Sequence, residues 1–464
     1  MSESLLIVDN PYTGEVVLER QLATSSQMDE IMKRSHEAHR SWKRTSLTER
    51  LEVVKRFTEH FSSNARDYAA EITASMGKPL GQARGEVRGM IYRATQMSAI
   101  AEDALADIVL PEQKGYSRWI RREPVGVVVV LAAWNYPLLT AINSVVASVL
   151  AGNSVVLKQS PRTPRCAEQF AEAFEAAGAP KDLVMAIHCS YAVSEELVAH
   201  PLAGYVSFTG SVFGGRRIYQ AVANSRFIDV GLELGGKDPA YVTEDAHFQH
   251  AVINLVEGGF YNAGQSCCGI ERVYVHEAIY DKFLEAAVEE ARNYEPGDPM
   301  VKDTSLGPMA QPTSVPFLQN QIDEAKSCGA RILTGGSATQ FEGKGRFFSP
   351  TIVADTDHSM SIAKEESFGP VIAIQKVSSD QEAIEKMNDS KFGLTASIWT
   401  ADIDRGRKLL PQLEAGTVFL NRADYLDPHL AWTGVKDSGK GASLSALGFH
   451  AVTRPKSYHL RLEV

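Results

Sequence analysis

The strongest constraint on the fold lies between residues 125 and 224, where short apolar runs alternate with helix-like segments. VGVVVVLAAW, SVVLK (154–158), LVMAIHC (183–189) and YVSFTG (205–210) are continuous rather than alternating in polarity. Between them, 137–150, 163–177, 191–199 and 212–224 carry apolar residues at helical spacing, and Gly178 stops the second helix. A strand apolar on both faces must be covered on both faces. Intervening helices of about a dozen residues do that in βαβ units, so a parallel sheet is predicted.

A second alternating run follows: helix 246–263, strand ERVYVH and helix 280–294. After a Gly-rich stretch at 335–345 come strand VIAIQKV, helix 380–390, strand TASIWT, helix 403–413 and strand GTVFLNR. Ahead of both runs, 27–43 and 47–76 read as long charged helices. Residues 105–126, with Pro111, Gly115, Pro124 and Gly126 around YSRWIRRE, read as an exposed β-hairpin. The expected fold class is α/β: two open-sheet, Rossmann-like lobes with a cleft between them, where small-molecule sites form, plus a small β arm.

Composition narrows the function. Lys plus Arg is 47 against 57 Asp plus Glu, a net charge of −10. That excludes a nucleic-acid binder held by phosphate contacts and an anionic membrane surface, but not one local anion site. The longest apolar run, Val125 to Trp134, is half the ~20 residues of a membrane span. The N-terminal MSESLLIVDN has Glu3 and Asp9 and no basic stretch, unlike a secretory signal. Five cysteines without a CxxC pair fit neither a disulfide framework nor a zinc ribbon, so free thiols in the cytoplasm are expected. HEAHR at 36–40 is not a zinc motif, and no metal is expected.

Five places carry candidate chemistry. Gly231 to Lys237 (GLELGGK) opens like a P-loop, but Asp238 stands where Mg²⁺ needs a hydroxyl, so that reading fails. Within it, Glu233 is a carboxylate in an apolar strand. It is either satisfied by Lys237 or a local donor, or a base with raised pKa. Gly264-Gln265-Ser266-Cys267-Cys268-Gly269 places two thiols on a Gly-rich turn, either as small buried residues or as an accessible nucleophile. Asn135, at the end of the first strand beside Trp134, either caps the helix at Pro137 or donates to a developing oxyanion. Lys158 closes SVVLK, either as a snorkelling surface lysine or as part of a site at the strand ends.

Taken in order, WN, LK, FTGS, ELGGK, GQSCC and EESFGP resemble the aldehyde dehydrogenase superfamily, from about residue 5 to the C-terminus. Glu233 and Cys267 are 34 residues apart, as in that family. The resemblance implies that Cys267 is the nucleophile, Asn135 and the Cys267 N–H the oxyanion hole, and Glu233 the base that activates water. It implies NAD or NADP as cofactor. Lys158 would meet the adenosine ribose, Ser211 and Gly210 the pyrophosphate, Glu366 the nicotinamide ribose, and Trp134, Phe368 and Gly235 the ring's surroundings. It implies a dinucleotide-binding domain at 1–104 and 127–232, a catalytic domain at 233–436, and an oligomerisation arm at 105–126 and 452–464. The partners would be an aldehyde and one or three further copies of the chain.

Three departures from the family pattern affect specificity. Pro161 replaces a glutamate usual in NAD users, so both cofactors are expected to serve. Ala431-Trp432-Thr433-Gly434 replaces a PFGG-like loop, and NRADYLDPHLAW is unusual at the expected aldehyde entrance. There Arg422 would suit a carboxylate-bearing aldehyde, whereas Trp119, Trp134, Tyr136 and Trp432 would suit an aromatic or aliphatic one. Two rivals remain. A CoA-acylating relative typically lacks the Glu of ELGGK, and a non-catalytic protein would tolerate loss of Cys267, Glu233 or Asn135. The tail from Lys456 is expected to pair across a subunit interface, for want of a partner strand in its own chain.

Overall fold

The computed structural model describes residues 5–463. The first four residues of the expected dinucleotide-binding domain and Val464 of the expected arm lie outside them. An antiparallel hairpin, Leu5–Asp9 with Val16–Gln21, opens the chain. Capping boxes then start two helices: Thr24 with Gln27 begins Ser25–Trp42, and Ser46 with Glu49 begins Leu47–Ser63. The single helix expected over 47–76 breaks at Asn64, whose amide folds back onto His60 O at 2.8 Å, and resumes as Ala65–Met76. Next, Leu80–Leu105 buries Ala83, Val87, Met90, Ala94, Met97 and Ala101 along one face. The neighbouring helix Pro137–Leu150 packs against that helix.

The first lobe holds a six-stranded sheet. Its order is Gly439–Lys440, Val230–Glu233, Ala203–Thr209, Val127–Ala132, Ser154–Gln159, Val184–Ala186. All are parallel except the first, which returns from the far end of the sequence and runs antiparallel to Val230–Glu233. Val127–Ala132 and Ser154–Gln159 are buried at every position, as continuous apolar runs require. The strand expected over 183–189 covers only Val184–Ala186; beyond it Cys189 bridges to Ala23 instead. Successive connections turn one way to Ser154–Gln159 and the other way to Ala203–Thr209. The switch point therefore lies beside the C-terminal ends of Val127–Ala132 and Ala203–Thr209.

The second lobe holds seven strands in the order Arg331–Thr334, Thr351–Ala354, Val371–Val377, Ile270–His276, Asp238–Val242, Thr395–Trp399, Thr417–Leu420. The Gly-rich stretch proves to hold a hairpin, Ala338–Phe341 with Lys344–Phe348. Asp238–Val242 was not expected as a strand. Its Asp and Pro disguise a central element in which the Asp238 carboxylate accepts from Thr395 N (3.1 Å) and Oγ1 (2.5 Å).

The arm corrects one expectation. The tail does have a partner in its own chain: Thr453–Arg461 pairs antiparallel with Tyr116–Pro124 over nine residues, and Ile108–Val109 lies on the other side. Trp119 stacks on Tyr458 with ring centroids 4.6 Å apart. The outer edge of Thr453–Arg461 remains a free edge among the described residues. Among the described residues, no helix is long and apolar enough to cross a membrane.

Candidate active site

A cleft of about 750 Å³ opens at the switch point between the lobes. The ten residues given a catalytic or cofactor role by the resemblance all line it: Asn135, Glu233, Cys267, Trp134, Lys158, Gly210, Ser211, Gly235, Glu366 and Phe368; Cys268, Arg422, Trp119, Tyr136 and Trp432 do not. The first lobe contributes strand ends. Lys158 and Glu233 sit at the C-terminal ends of parallel strands, and Trp134 and Asn135 follow Val127–Ala132 directly. The second lobe contributes Cys267, Glu366 and Phe368 from turns.

The turn carrying the thiols depends on backbone that few side chains allow. Phe248–Phe260 gives way to one 3₁₀ turn, Tyr261–Gly264, with Asn262, Ala263 and Gly264 at φ 56°, 54° and 68°. A Cβ on Gly264 would run into the Gly369 backbone. The Asn262 amide donates to Asn135 O and to Gln265 O, both at 3.1 Å, which ties the turn to the first lobe. Of the two thiols, Cys267 faces the cleft and Cys268 is buried, donating to Asp424 Oδ1 at 3.0 Å. The neighbouring Cys267 thiol and burial push the Cys268 thiol up, and burial pushes Asp424 up to about 6.

Two of the blander alternatives are overturned, and the one for Glu233 survives in part, since Ser443 and Thr209 donate to it. Lys237 does not neutralise Glu233: it is fully buried and pairs with Glu271 at 2.5 Å and Ser367 Oγ at 3.0 Å. Asn135 does not cap the helix at Pro137, whose N-cap Tyr136 has no side-chain cap; the Asn135 side chain instead lines the cleft, 3% exposed. Lys158 is not a surface lysine: it is 6% exposed, lies 5.8 Å from the Tyr191 ring centroid and has no carboxylate partner among the described residues. Burial lowers its pKa. Near the expected entrance, Arg422 is engaged by the Tyr425 ring, 3.4 Å from its centroid.

Glu233 is held from behind. Ser443 Oγ donates to its Oε1, and Thr209 Oγ1 donates to Oε2 at 3.4 Å. Burial raises its pKa, opposed in turn by Ser443, the positive charge of Arg93, Thr209 and Asn143. These four partners carry no local sequence signal, since each reaches Glu233 through tertiary packing alone. Glu366 accepts from Gly236 N at 3.0 Å, and burial and the Glu271 charge push it up to about 8. Phe368, at φ 51°, sets its ring edge-on to Trp134 at 5.4 Å. The two glycines of ELGGK are demanded by close packing: a Cβ would meet Glu366 at Gly235 and the Cys267 carbonyl at Gly236.

The cleft fits a dinucleotide in size and chemistry. Ser211 caps helix Val212–Ala223, accepting from Gly214 N at 3.1 Å, and leaves that helix's first N–H groups facing the cleft beside Gly210. Tyr191 and Phe213, both largely exposed, stand at the rim near Lys158, Ser160 and Pro161. Among the described residues, no group of three or more His, Cys, Asp or Glu side chains is gathered as a metal would need.

Comparison with known proteins agrees with this geometry. Residues 2–458 match the sequence model of the aldehyde dehydrogenase family. The chain is 34% identical to 3,6-anhydro-alpha-L-galactose dehydrogenase of Streptomyces coelicolor, covering 99% of this chain and 94% of that one. The solved structure of a 3,6-anhydro-L-galactose dehydrogenase in complex with NAP superposes with a TM-score of 0.94 at 31% identity, over 99% of this chain and 97% of that one. Betaine aldehyde dehydrogenase from Staphylococcus aureus in complex with NAD+ superposes at 0.95 and 29% identity, over 99% and 93%. With its cleft, its thiol turn and its sequence all in agreement, the chain belongs to the aldehyde dehydrogenase family and is an aldehyde dehydrogenase that works with NAD or NADP.

Proposed function

We propose that the enzyme oxidises its aldehyde to the carboxylic acid through a thioester on Cys267, which water then hydrolyses. The observation that carries this is the convergence of Cys267, Asn135 and Glu233 on one cleft at the switch point. The Cys267 thiolate attacks the carbonyl carbon, forming a C–S bond and an oxyanion. The Asn135 amide and the Cys267 N–H donate to that oxyanion; losing one such donor typically costs ~10²–10³ in rate. The dinucleotide, when bound, supplies the two-electron acceptor that turns the thiohemiacetal into a thioester. Glu233 then takes a proton from water, the hydroxide adds to the thioester carbonyl, and the C–S bond breaks to return the thiolate.

Lys158, Gly210, Ser211, Glu366, Trp134, Phe368 and Gly235 hold the dinucleotide. Residues 1–104 and 127–232 form its domain, and 233–436 the catalytic domain. Residues 105–126 and 452–464 join subunits into a homodimer or homotetramer, through the free edge of Thr453–Arg461. Five cysteines without a disulfide suit a reducing cytoplasm.

The test is Glu233→Gln in pre-steady-state mixing with excess aldehyde and cofactor. A burst of NAD(P)H followed by a much slower steady rate is expected. Loss of the burst itself would place Glu233 in thiol activation, and full rescue of turnover by added CoA would favour transfer to CoA over hydrolysis.

A further inference from the structure

A buried ion pair stands directly behind the turn that carries Glu366 and Phe368. Lys237 and Glu271 are 1% and 3% exposed, and neither lines the cleft. Lys237 precedes the strand Asp238–Val242, and Glu271 is the second residue of its parallel neighbour Ile270–His276. Arg272 Nε donates to Lys237 O at 2.8 Å, which fixes the backbone from which the Lys237 side chain leaves. The Lys237 ammonium reaches Glu271 Oε2 at 2.5 Å and Ser367 Oγ at 3.0 Å.

The Glu271 carboxylate also receives two successive backbone N–H groups of that turn. Ser367 N donates to Oε2 at 2.8 Å and Phe368 N to Oε1 at 2.9 Å. Phe368 has φ 51°, a conformation that a bulky side chain seldom takes unless its surroundings impose it. On the cleft side, Gly236 N donates to Glu366 at 3.0 Å. The segment 366–368 is thus laced to Gly236 and Lys237 twice, once directly and once through Glu271. A buried ion pair is a weak source of stability, since apolar residues of similar volume often serve as well. Apolar residues could not hold two N–H groups and a hydroxyl in fixed directions, which this pair does.

We infer that Glu271, held by Lys237, is the positioning residue for the nicotinamide end of the cleft: it fixes the turn that carries Glu366 and Phe368, and so governs hydride transfer without touching the cofactor. The inference rests on the proposed oxidation and on the proposed cofactor roles of Glu366 and Phe368. The dinucleotide, when bound, accepts the hydride that leaves the substrate carbon bonded to Cys267. The turn must therefore hold its place relative to Cys267, and a misplacement of about 1 Å costs such a step ~10²-fold.

The experiment compares wild type with Glu271→Gln and with the double variant Glu271→Gln, Lys237→Met, which leaves no unpaired buried cation. It measures the rate of the NAD(P)H burst, the Kd of ADP and of NAD, and the rate of Cys267 alkylation by iodoacetamide without cofactor. In both variants the burst should slow by about 10–100-fold, and NAD should lose its additional affinity over ADP. ADP affinity and alkylation should stay within about 2-fold of wild type, since the adenosine end and the thiol turn are independent of the pair. Should Glu271→Gln not fold, the double variant decides. Should neither fold, Ser367→Ala, which takes one acceptor from Lys237, should slow the burst about 3-fold, and an unchanged burst there overturns the inference. A burst at the wild-type rate in the Glu271 variants overturns it and leaves the reaction standing. Equal losses of burst, ADP affinity and alkylation would make the pair a support of the whole fold and also overturn it. NAD bound no more tightly than ADP by wild type would overturn the roles of Glu366 and Phe368 and the inference with them. No NAD(P)H from wild type with any aldehyde would overturn the reaction itself.

Discussion

Ser443 donates a hydrogen bond to the Glu233 carboxylate across 210 residues of sequence. The hydroxyl favours the ionised form of a buried group whose environment favours the neutral one. In the proposed mechanism the base works only when ionised, so this contact would widen the pH range of hydrolysis on its acidic side.

Ser443→Ala should therefore move the acidic limb of the kcat profile to higher pH. A hydrogen bond to a charged group is worth ~1.5–3 kcal/mol and one pH unit is ~1.4, so a shift of about one to two units is expected. The measurement is kcat against pH at saturating aldehyde and cofactor. An unmoved limb would mean that Thr209, Asn143 and Arg93 suffice.

The adjacent thiols should separate cleanly. Cys267→Ala should abolish dehydrogenase turnover while dinucleotide binding, followed by fluorescence quenching, stays intact. Cys268→Ala should keep most turnover. It should lose ~1–2 kcal/mol in urea unfolding, because the buried Asp424 forfeits its thiol donor. Equal loss of activity in both variants would contradict the assignment of the nucleophile.

Pro161 sits in the cleft with Lys158 and Ser160 and offers a ribose 2′-hydroxyl or a 2′-phosphate neither attraction nor repulsion. Wild type should use both NAD and NADP. Pro161→Glu should weaken NADP more than NAD, since only the phosphate meets the new charge. The readout is kcat/KM for each cofactor. A wild-type preference for NAD above ~10³-fold, about 4 kcal/mol, would require another discriminating residue.

Removing residues 452–464 takes away the nine-residue partner of Tyr116–Pro124 and the stacking of Tyr458 on Trp119. The bared strand should leave the protein monomeric or insoluble, as judged by sedimentation. A soluble truncated protein with the wild-type sedimentation coefficient would show that assembly lies elsewhere.

Much of this was legible because it is local. Pro137–Leu150, Tyr191–Ala199 and Val371–Val377 have the bounds that apolar spacing and flanking Pro and Ser residues predict. The site motifs were legible for a related reason. Gly235, Gly236 and Gly264 are required by contacts that admit no side chain, so they stand in the sequence as short fixed words. What escaped is what depends on distant partners. Asp238–Val242 hides its strand because Thr395 satisfies its aspartate. The long second helix breaks where Asn64 finds His60 O. Thr209, Ser443, Asn143 and Arg93 are ordinary residues until two lobes and the returning chain bring them round Glu233.

That return, through the antiparallel pair Gly439–Lys440 beside Val230–Glu233, also sets a timetable for synthesis. Domains fold largely as they leave the ribosome, N-terminal parts first. The first lobe can lay down its parallel strands early, but the edge next to Glu233 waits for Gly439–Lys440 to be translated. Until then Glu233 lacks the donor Ser443, although Cys267 has already emerged. A nascent chain of this enzyme thus carries Cys267 for about 176 residues of translation before Ser443 can reach Glu233.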